Sequence, residues 1–276
     1  MNIKDLSVVI TTFKSEKKIY SCLDSLPKNI TIIVIENSND ENFKKELKLK
    51  YPDINCILTG ENKGYSTANN IGLLSVRTKY ALVLNPDTTV EEDAIRNFLR
   101  TAEKYPNFWL IGPAYHQSKD LDTNNKEIFE VENLKGFAIF FNIEKFKKNF
   151  FDENYFLYFE EIDLCKKVRI NKGKIFLDPN IKINHEGASS VDDIHKIELE
   201  KNRNWHWMWS TFYFHNKYKG FILALFIIFP YFFTALFKTI FFYIISTKKK
   251  DIYLNRLSGI INSILGKKSW RRPTID

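Results

Sequence analysis

The chain of 276 residues is 44% hydrophobic and 27% charged, a composition that predicts a packed core and excludes global disorder. The formal net charge is +8, but the last 30 residues supply +6 of it, from eight Lys/Arg against two Asp. Because the basic character belongs to a tail, the charge argues against a nucleic-acid-binding core. Cys22, Cys56 and Cys165 lack zinc spacing and indicate reduced thiols in a cytosolic compartment. The chain enters an apolar strand almost at once, so we expect no signal peptide.

Apolar strands alternate with helices in the first 105 residues. Strands are predicted at 6–10, 31–35, 55–59 and 80–84, and helices at 16–26, 41–50, 66–77 and 91–105. The last helix is expected to carry Glu91, Glu92 and Asp93 in its first turn, as the helix dipole favours. The alternation is typical of βαβ units and predicts an α/β fold, with a mostly parallel sheet flanked by helices.

The pattern loosens after residue 113. Its later features are an exposed loop at 116–127, a strand at 136–141, a helix near 161–171, a strand at 174–177 and a segment ending at His185. No internal repeat is visible.

Three of the predicted strands end in polar clusters. These clusters are Thr11-Thr12, Glu36-Asn37-Ser38 and Asn85-Pro86-Asp87. Each cluster alone is typical of a turn. Because the carboxyl ends of parallel strands lie along one edge of a sheet, the three together favour a nucleotide crevice there.

The segment before the third helix reads ENKGYSTANNIGL and offers further polar groups. Gly64 permits a tight turn before the helix, whose amino terminus could then face an anionic diphosphate. We interpret at least one of the neighbouring amides, among them Asn62 and Asn70, as facing a ligand. Helix capping is the alternative.

Three carboxylates, Glu160, Glu161 and Asp163, follow an aromatic run at 156–159. If they open a helix, their placement is favourable for the dipole without any function. Neighbouring acids also raise one another's pKa, so one of them could act as a general base. A lone His185 in a polar segment after a strand is the remaining candidate.

These segments together resemble the family 2 glycosyltransferases of GT-A fold, especially their bacterial rhamnosyltransferase-like branch. In chain order the matching segments are VVITTF, IVIENSND, ENKGYSTANNIGL, LVLNPDT, LKGFAIFF, FLYFEEIDLC and NHEGASS. They cover about residues 6–215. The resemblance implies a GT-A domain over 1–215, followed by a hydrophobic helical membrane-associating segment and basic tail over 216–276.

The resemblance further implies inverting transfer of a sugar from a nucleoside diphosphate, either dTDP-rhamnose or a UDP-sugar. Asp87 resembles the surviving Asp of the family's D-x-D motif, with Asn85 in place of the first Asp. It would bind Mg²⁺ or Mn²⁺, a hard cation suited to oxygen ligands and to the leaving diphosphate. His185 resembles the family histidine that approaches the metal or diphosphate.

The remaining site assignments also follow from the resemblance. The residues expected to bind the donor are Thr11, Thr12, Glu36, Asn37, Asn62, Gly64, Asn70 and Asp87. Glu36 departs from the commoner Asp, which bears on base selectivity. Glu161 stands at the second acid of the family's Glu-Asp pair and is expected to be the catalytic base. Gly136, Glu160 and Asp163 are assigned to the acceptor, and the last two could share the role of the base.

Residues 220–246 form a long apolar stretch, interrupted by Pro230 and Lys238 and followed by Lys248–Lys250. As one straight helix it would be about 40 Å long, against roughly 30 Å of bilayer hydrocarbon. A single span would place the basic tail away from the cytosolic donor, against the positive-inside tendency. We therefore expect a bent, re-entrant or interfacial helical pair on the cytoplasmic face of the cell membrane. A buried core hairpin and a single span are the alternatives.

The membrane segment favours a lipid-linked saccharide acceptor, in surface polysaccharide or glycan synthesis. Two other classes compete. A sugar-phosphate nucleotidyltransferase would need a glycine-rich loop after the first strand, where TTFKSEKK has none. A membrane-tethered nucleotide-sugar-binding protein without turnover is the non-enzymatic alternative.

Upstream of the apolar stretch, the sequence contains three alternate tryptophans, Trp205, Trp207 and Trp209. They spread around a helix and are expected in the core or at the membrane interface.

Overall fold

The computed structural model describes residues 2–114, 127–186 and 196–274. The chain forms two compact units, the first comprising Met1–Asp152 and Glu161–Ser190, the second Glu153–Glu160 and Val191–Asp276. The predicted loop at 116–127 lies outside the described residues apart from Glu127.

The first unit is an α/β unit, as the alternating pattern predicts. Its strands are β1 (Leu6–Thr12), β2 (Thr31–Glu36), β3 (Asn55–Leu58), β4 (Tyr80–Leu84), β5 (Thr88–Val90), β6 (Phe108–Pro113), β7 (Phe129–Glu130), β8 (Ala138–Asn142), β9 (Lys174–Asp178) and β10 (Ile183–His185). Its helices are α1 (Glu16–Asp24), α2 (Glu41–Lys50), α3 (Gly64–Ser75), α4 (Ala94–Lys104) and α5 (Glu160–Ile170).

Eight of these strands form one sheet in the order β3-β2-β1-β4-β8-β6-β9-β7. The strands β3, β2, β1 and β4 pair in parallel, and β8 is antiparallel to both β4 and β6. The mostly parallel sheet is therefore confirmed. The chain moves outward from β1 to β3 and then returns to place β4 on the other side of β1. That reversal makes the edge between β1 and β4 a topological switch point, where open α/β sheets bind ligands.

Both faces of the sheet are buried, which explains why its strands read as continuous apolar runs. Along β1, Val8 and Ile10 belong to one hydrophobic cluster and Val9 to the other. Helix α3 packs closely on this second face. A Cβ added at Gly72 would lie 2.3 Å from Cγ1 of Val9, so a glycine is required there.

Three local predictions need correction. Helix α4 begins at Ala94, so Glu91, Glu92 and Asp93 precede it instead of lying in its first turn. Helix α3 begins at Gly64, two residues before the predicted start, although the φ of +81° at Gly64 confirms the predicted turn. The strands β5 and β6 were not predicted; β5 has only three residues, and β6 opens with two aromatic residues after a proline turn.

The second unit contains α6 (Lys196–Lys219), α7 (Phe221–Ile245) and α8 (Thr247–Ile264). Helix α6 runs through the predicted domain boundary at residues 215 and 216. A single residue, Ser246, joins α7 to α8. The Lys238 ammonium donates to the Tyr253 hydroxyl at 3.2 Å, and Phe242 stacks on the Tyr253 ring at 5.8 Å. Helix α8 therefore folds back along α7.

Helix α7 is one continuous helix with Pro230 inside it. Its buried residues are Ala224, Ile228 and Ala235, whereas most of its large apolar side chains are exposed. Among the described residues it is the one helix long and apolar enough to cross a membrane. The alternative of a buried core hairpin is therefore wrong.

The three clustered tryptophans differ in environment. Trp205 and Trp209 are buried, and their indole N–H groups donate to Ser258 Oγ at 3.1 Å and to the Lys267 carbonyl at 2.9 Å. Trp207 is 43% exposed. Two of the three are therefore core residues of the second unit.

Candidate active site

Asp87 and His185 meet at the switch-point edge of the sheet. The segment Asn85-Pro86-Asp87 leads from β4 into β5, which pairs antiparallel with β10 and sets Thr88 opposite His185. His185 Nε2 lies 3.2 Å from Asp87 Oδ1 and 3.5 Å from Asn85 Nδ2. Two residues that the sequence assigned to a metal, 98 positions apart, are thus neighbours.

The surroundings fix this pair in place. The His185 ring stacks on Phe137, with centroids 4.9 Å apart and an interplanar angle of 8°. The Glu186 backbone N–H donates to the Asp87 carbonyl at 3.1 Å, and the Glu186 carboxylate forms an ion pair with Lys18. Asp87 itself is only 8% exposed. The geometry of the pair therefore does not depend on one hydrogen bond.

The chemistry of the pair fits a divalent metal. A carboxylate oxygen and an imidazole nitrogen 3.2 Å apart match adjacent ligands of an octahedral ion, which lie about 3 Å apart at metal–ligand distances near 2.1 Å. The described residues contain no group of three or more His, Cys, Asp and Glu side chains arranged for a metal. Asp87 and His185 are therefore the described residues that would hold such an ion, and phosphate oxygens and water are further ligands usual for Mg²⁺.

The polar ends of β1 and β2 are joined by hydrogen bonds. The Asn37 backbone N–H donates to the Thr12 carbonyl at 2.9 Å, and the Thr12 hydroxyl donates to the Ile35 carbonyl at 3.3 Å. The buried Glu36 carboxylate accepts from the Asp40 N–H at 2.6 Å and from both the N–H and the hydroxyl of Ser38. Glu36 therefore shapes the turn after β2.

Asn37 organises the loop that leads into α3. Its Oδ1 accepts from the Thr59 hydroxyl at 3.2 Å and from the Lys63 N–H at 2.9 Å, and its Nδ2 donates to Asn62 Oδ1 at 3.1 Å. The same Asn62 oxygen accepts from the Gly64 N–H at 3.1 Å. The two amides thus form one network that holds the amino terminus of α3.

The two asparagines inside α3 also have protein partners. Asn70 exchanges two hydrogen bonds with the backbone of Phe151, both at 3.0 Å. Asn69 accepts from the Thr11 hydroxyl at 3.0 Å and donates to the Tyr65 carbonyl at 2.9 Å. These contacts explain two poor helix formers in a helix interior. Donor binding by Asn70 stays a prediction, as it does for the other strand-end and loop residues.

Glu161 lies in the first turn of α5, against Gly136. A Cβ added at Gly136 would lie 3.7 Å from Cβ and Cγ of Glu161, at ordinary van der Waals contact, so the two residues are direct neighbours. The Tyr65 hydroxyl donates to the Gly136 carbonyl at 2.7 Å and fixes that backbone. Burial raises the pKa of Glu161, and the positive charge of Lys135 partly opposes the rise. A carboxylate with a raised pKa is the kind of group that serves as a general base.

The other acids of α5 are more deeply buried. Asp163 is fully buried and Glu160 is 6% exposed. The adjacent Cys165 thiol accepts from the Leu134 N–H at 3.4 Å, and burial raises its pKa to about 12. Of the three carboxylates, Glu161 is the most accessible, which agrees with its assignment as the base.

Sequence reasoning did not single out three supporting residues. Phe137 stacks on His185, Tyr65 holds the Gly136 backbone, and Lys18 pairs with Glu186. Phe137 and Tyr65 both stand inside the matching segments LKGFAIFF and ENKGYSTANNIGL, which is the signal that could have found them. The end of NHEGASS, residues 187–190, lies outside the described residues.

The α/β unit thus carries a carboxylate–imidazole pair at its switch-point edge and a separate carboxylate, Glu161, with a raised pKa. Glycosyl transferase family 2 matches residues 7–167, more than half of the chain, and the chain belongs to this family.

Two curated relatives are similar to the chain. The low-salt glycan biosynthesis hexosyltransferase Agl10 of Haloferax volcanii is 25% identical, over 73% of this chain and 70% of that protein. The glycosyltransferase GlyA of Streptococcus pneumoniae serotype 4 is 21% identical, over 49% of this chain and 23% of that protein.

A solved structure agrees in fold. The crystal structure of GalNAc-T7 with UDP, GalNAc and Mn²⁺ has a TM-score of 0.54 and 14% sequence identity. The match covers 65% of this chain and 42% of that one. At this identity the likeness supports the GT-A fold alone.

Proposed function

We propose that this protein is a metal-dependent inverting glycosyltransferase that moves a hexosyl residue from a nucleoside diphosphate to a saccharide acceptor. The observation that carries the proposal is the Asp87–His185 pair, at 3.2 Å, on the switch-point edge of a family 2 domain. The hexosyltransferase name of the Haloferax relative supports the type of sugar and a role in glycan synthesis.

The donor would lie along the ends of β1, β2 and β4. Thr11, Thr12, Glu36 and Asn37 are proposed to hold the base and ribose, and Asn62, Gly64 and Asn70 to line the diphosphate side. Asp87 and His185 would hold Mg²⁺ or Mn²⁺, whose positive charge stabilises the leaving diphosphate when it is bound.

Glu161 is proposed as the base of a single displacement. Its carboxylate takes the proton of an acceptor hydroxyl while that oxygen attacks the anomeric carbon. The bond between the anomeric carbon and the diphosphate oxygen breaks from the opposite face, so the configuration inverts. The raised pKa of Glu161 suits this step, because a carboxylate with a higher proton affinity is a stronger base near neutral pH.

Helix α7 is proposed to dock on the cytoplasmic face of the cell membrane without crossing it. Its apolar side chains are exposed, but α6 and α8 pack beside it with charged groups in their interface. Lys201 pairs with Asp251 at 3.1 Å, and Arg256 donates to Asn204 at 2.6 Å. A span by α7 would draw such groups toward the hydrocarbon, at a cost of several kcal/mol each, about 3 by insertion scales.

An interfacial position avoids that cost and leaves the basic tail for anionic headgroups. It also favours a lipid-linked acceptor, because the enzyme and such an acceptor would share one surface. The donor is proposed to be dTDP-rhamnose or a UDP-sugar.

The first experiment is thermal stabilisation of the wild type and Asp87→Ala by a panel of nucleotide sugars, with and without Mn²⁺. A ligand that binds the folded state raises its stability by mass action. We expect a Mn²⁺-dependent rise in Tm with one donor, which Asp87→Ala loses. The metal site would be rejected if a donor raised Tm equally with and without Mn²⁺, in both the wild type and Asp87→Ala. The absence of a shift with every donor would reject the donor proposal.

A further inference from the structure

Three aromatic side chains of the second unit, Tyr158, Phe159 and Trp207, form a cluster that we name the aromatic shelf. The Trp207 ring lies 5.2 Å from Tyr158 at an interplanar angle of 75°, and 5.5 Å from Phe159 at 58°. Trp207 is 43% exposed, and the other two residues are half-buried. The shelf is thus an apolar surface of several rings that remains open to solvent.

The chain before the shelf is fixed to α6 at three points. The Ser210 hydroxyl donates to the Leu157 carbonyl at 3.0 Å. Tyr155 packs edge-on against Tyr213 at 5.0 Å, and Phe156 stacks on His206 at 4.5 Å. These contacts anchor residues 155–157 to α6, immediately before two residues of unusual backbone conformation.

That conformation is a pair of left-handed aromatic residues. Tyr158 has φ of +70° and Phe159 has φ of +71°, a region that bulky residues rarely adopt. Residues held in this region of backbone conformation are strained, and they cluster at binding and catalytic sites. Packing alone does not require this strain, since ordinary backbone can also bury a Tyr-Phe pair. The strain turns two consecutive rings toward one exposed indole.

The shelf stands directly before the base in the chain. Phe159 is followed by Glu160 and Glu161, the first residues of α5. Pyranose rings present an apolar face of C–H groups and a rim of hydroxyls. The angled rings of the aromatic shelf would complement the apolar face of such a sugar, and a phenol hydroxyl at the edge would complement its hydroxyl rim.

We propose that the aromatic shelf binds a pyranose ring of the acceptor saccharide. This inference rests on the proposed function, of which it names the acceptor-binding residues. Tyr158 and Trp207 would supply the stacking faces. Phe159 contacts the indole and also packs on Phe214 at 5.4 Å, so it would hold the indole in place.

The test is saturation-transfer NMR on the full chain in detergent micelles. Methyl glycosides of glucose, galactose, mannose, rhamnose and N-acetylglucosamine serve as probes, because they lack an alkyl tail that could bind α7. Irradiation of the aromatic protons should saturate the ring protons of at least one glycoside. An aromatic contact worth about 0.5–1.5 kcal/mol corresponds to a two- to tenfold loss of affinity in Trp207→Ala.

The matched control is Trp270→Ala, another exposed tryptophan of the second unit, which packs on Trp205 and should leave the signal unchanged. Phe159→Leu tests the support of the indole with little change in apolar volume. The donor-dependent Tm shift with Mn²⁺ shows that each variant is folded. It also tests the proposed function separately. No donor-dependent shift in the wild type would reject that function, whereas the saturation-transfer signal tests sugar binding at the shelf.

Equal saturation transfer in the wild type and Trp207→Ala would overturn the inference. So would a wild type that gives no signal with any of the five sugars. If Trp207→Ala instead lowers binding to anionic vesicles and leaves the sugar signal intact, the indole is a membrane anchor and the inference is wrong.

Discussion

The two units of this chain are both rich in phenylalanine and aliphatic residues, yet they use them in opposite ways. In the first unit, Phe98 and Phe140 are fully buried and stack on each other at 5.1 Å. On α7, Phe237 is 69% exposed and Ile244 is 91% exposed. Hydrophobicity along the chain therefore does not reveal which phase a side chain faces, because only the packing partners distinguish a core from a docking surface.

The largest effect is expected in the first unit, on the rate of transfer, when the proposed catalytic base is changed. Glu161→Gln should lower the rate of transfer by about 10²–10⁴-fold, since general base catalysis is typically of that size. Donor binding, followed by the Mn²⁺-dependent Tm shift, should be retained because the amide keeps the shape of the side chain.

Glu103→Gln, on the exposed face of α4, is the matched control for the lost charge and should transfer at the wild-type rate. Wild-type turnover in Glu161→Gln would show that another group, such as Asp163, is the base.

The second test compares one phenylalanine from each unit. Phe98→Ala should lower the free energy of unfolding by about 3–5 kcal/mol, because it leaves a cavity in a close-packed core. Phe237→Ala should change it by less than about 0.5 kcal/mol, as exposed substitutions usually do. Urea unfolding monitored by circular dichroism measures both.

For membrane binding we expect the opposite order, with the larger effect in Phe237→Ala. Phe237→Ala should weaken co-sedimentation with anionic vesicles about tenfold or more, from about 1.5–3 kcal/mol of lost apolar burial. Unchanged vesicle binding by Phe237→Ala would contradict the docking role of α7.

The third test measures how acid lowers the stability of the second unit. Burial lowers the pKa of His206 to about 3, with smaller contributions from the nearby Arg271 and Arg272 charges. Because the folded pKa lies below the ordinary value of 6.5, His206 favours folding above pH 6.5, and this contribution is lost as the pH falls toward 3.

His206→Gln should therefore flatten the fall of Tm between pH 6.5 and 4. Four of the five tryptophans lie in the second unit, so tryptophan fluorescence measures the unfolding of that unit. If Tm of His206→Gln fell with pH in the same way as in the wild type, groups other than His206 would control the stability in acid.

The smallest expected effect is a displacement of a pH profile. The charge of Lys135 lowers the pKa of Glu161, so Lys135→Met should raise that pKa further. Because the base acts when deprotonated, the acid limb of the kcat/KM profile should move to higher pH. Lys145→Met, on the first unit, is a control for the loss of a surface charge. A profile that moves equally in both variants would indicate a general charge effect.

The sequence allowed most of the first half of the fold to be predicted, because β1 to β4 and their helices are local elements with clear periodicity. It also placed the polar strand ends at one edge, which follows from parallel pairing alone. The insertion of β8 between β4 and β6 and the pairing of β5 with β10 could not be predicted, since both depend on residues far apart in the chain.

The site shows the same limit. The resemblance assigned roles to Asp87, His185 and Glu161, which stay predictions. The periodicity contains no sign that Phe137 stacks on His185 or that Tyr65 fixes Gly136. The apolar stretch at the carboxyl end forms one continuous helix, α7, with Pro230 inside it. The polar helix α8 beside it could not be predicted, because its charged groups find their partners on α6, about 50 positions away in the chain.

The amide network around Asn37 has a consequence for the thermodynamics of donor binding. One hydrogen bond joins Asn37 to Asn62, and three more from these two amides hold Thr59, Lys63 and Gly64 in place. If a nucleotide binds at this loop as proposed, it would not have to order the loop, so little conformational entropy would be lost on association. The heat capacity change of binding should then reflect buried surface alone, without the larger negative value of a loop that folds around its ligand.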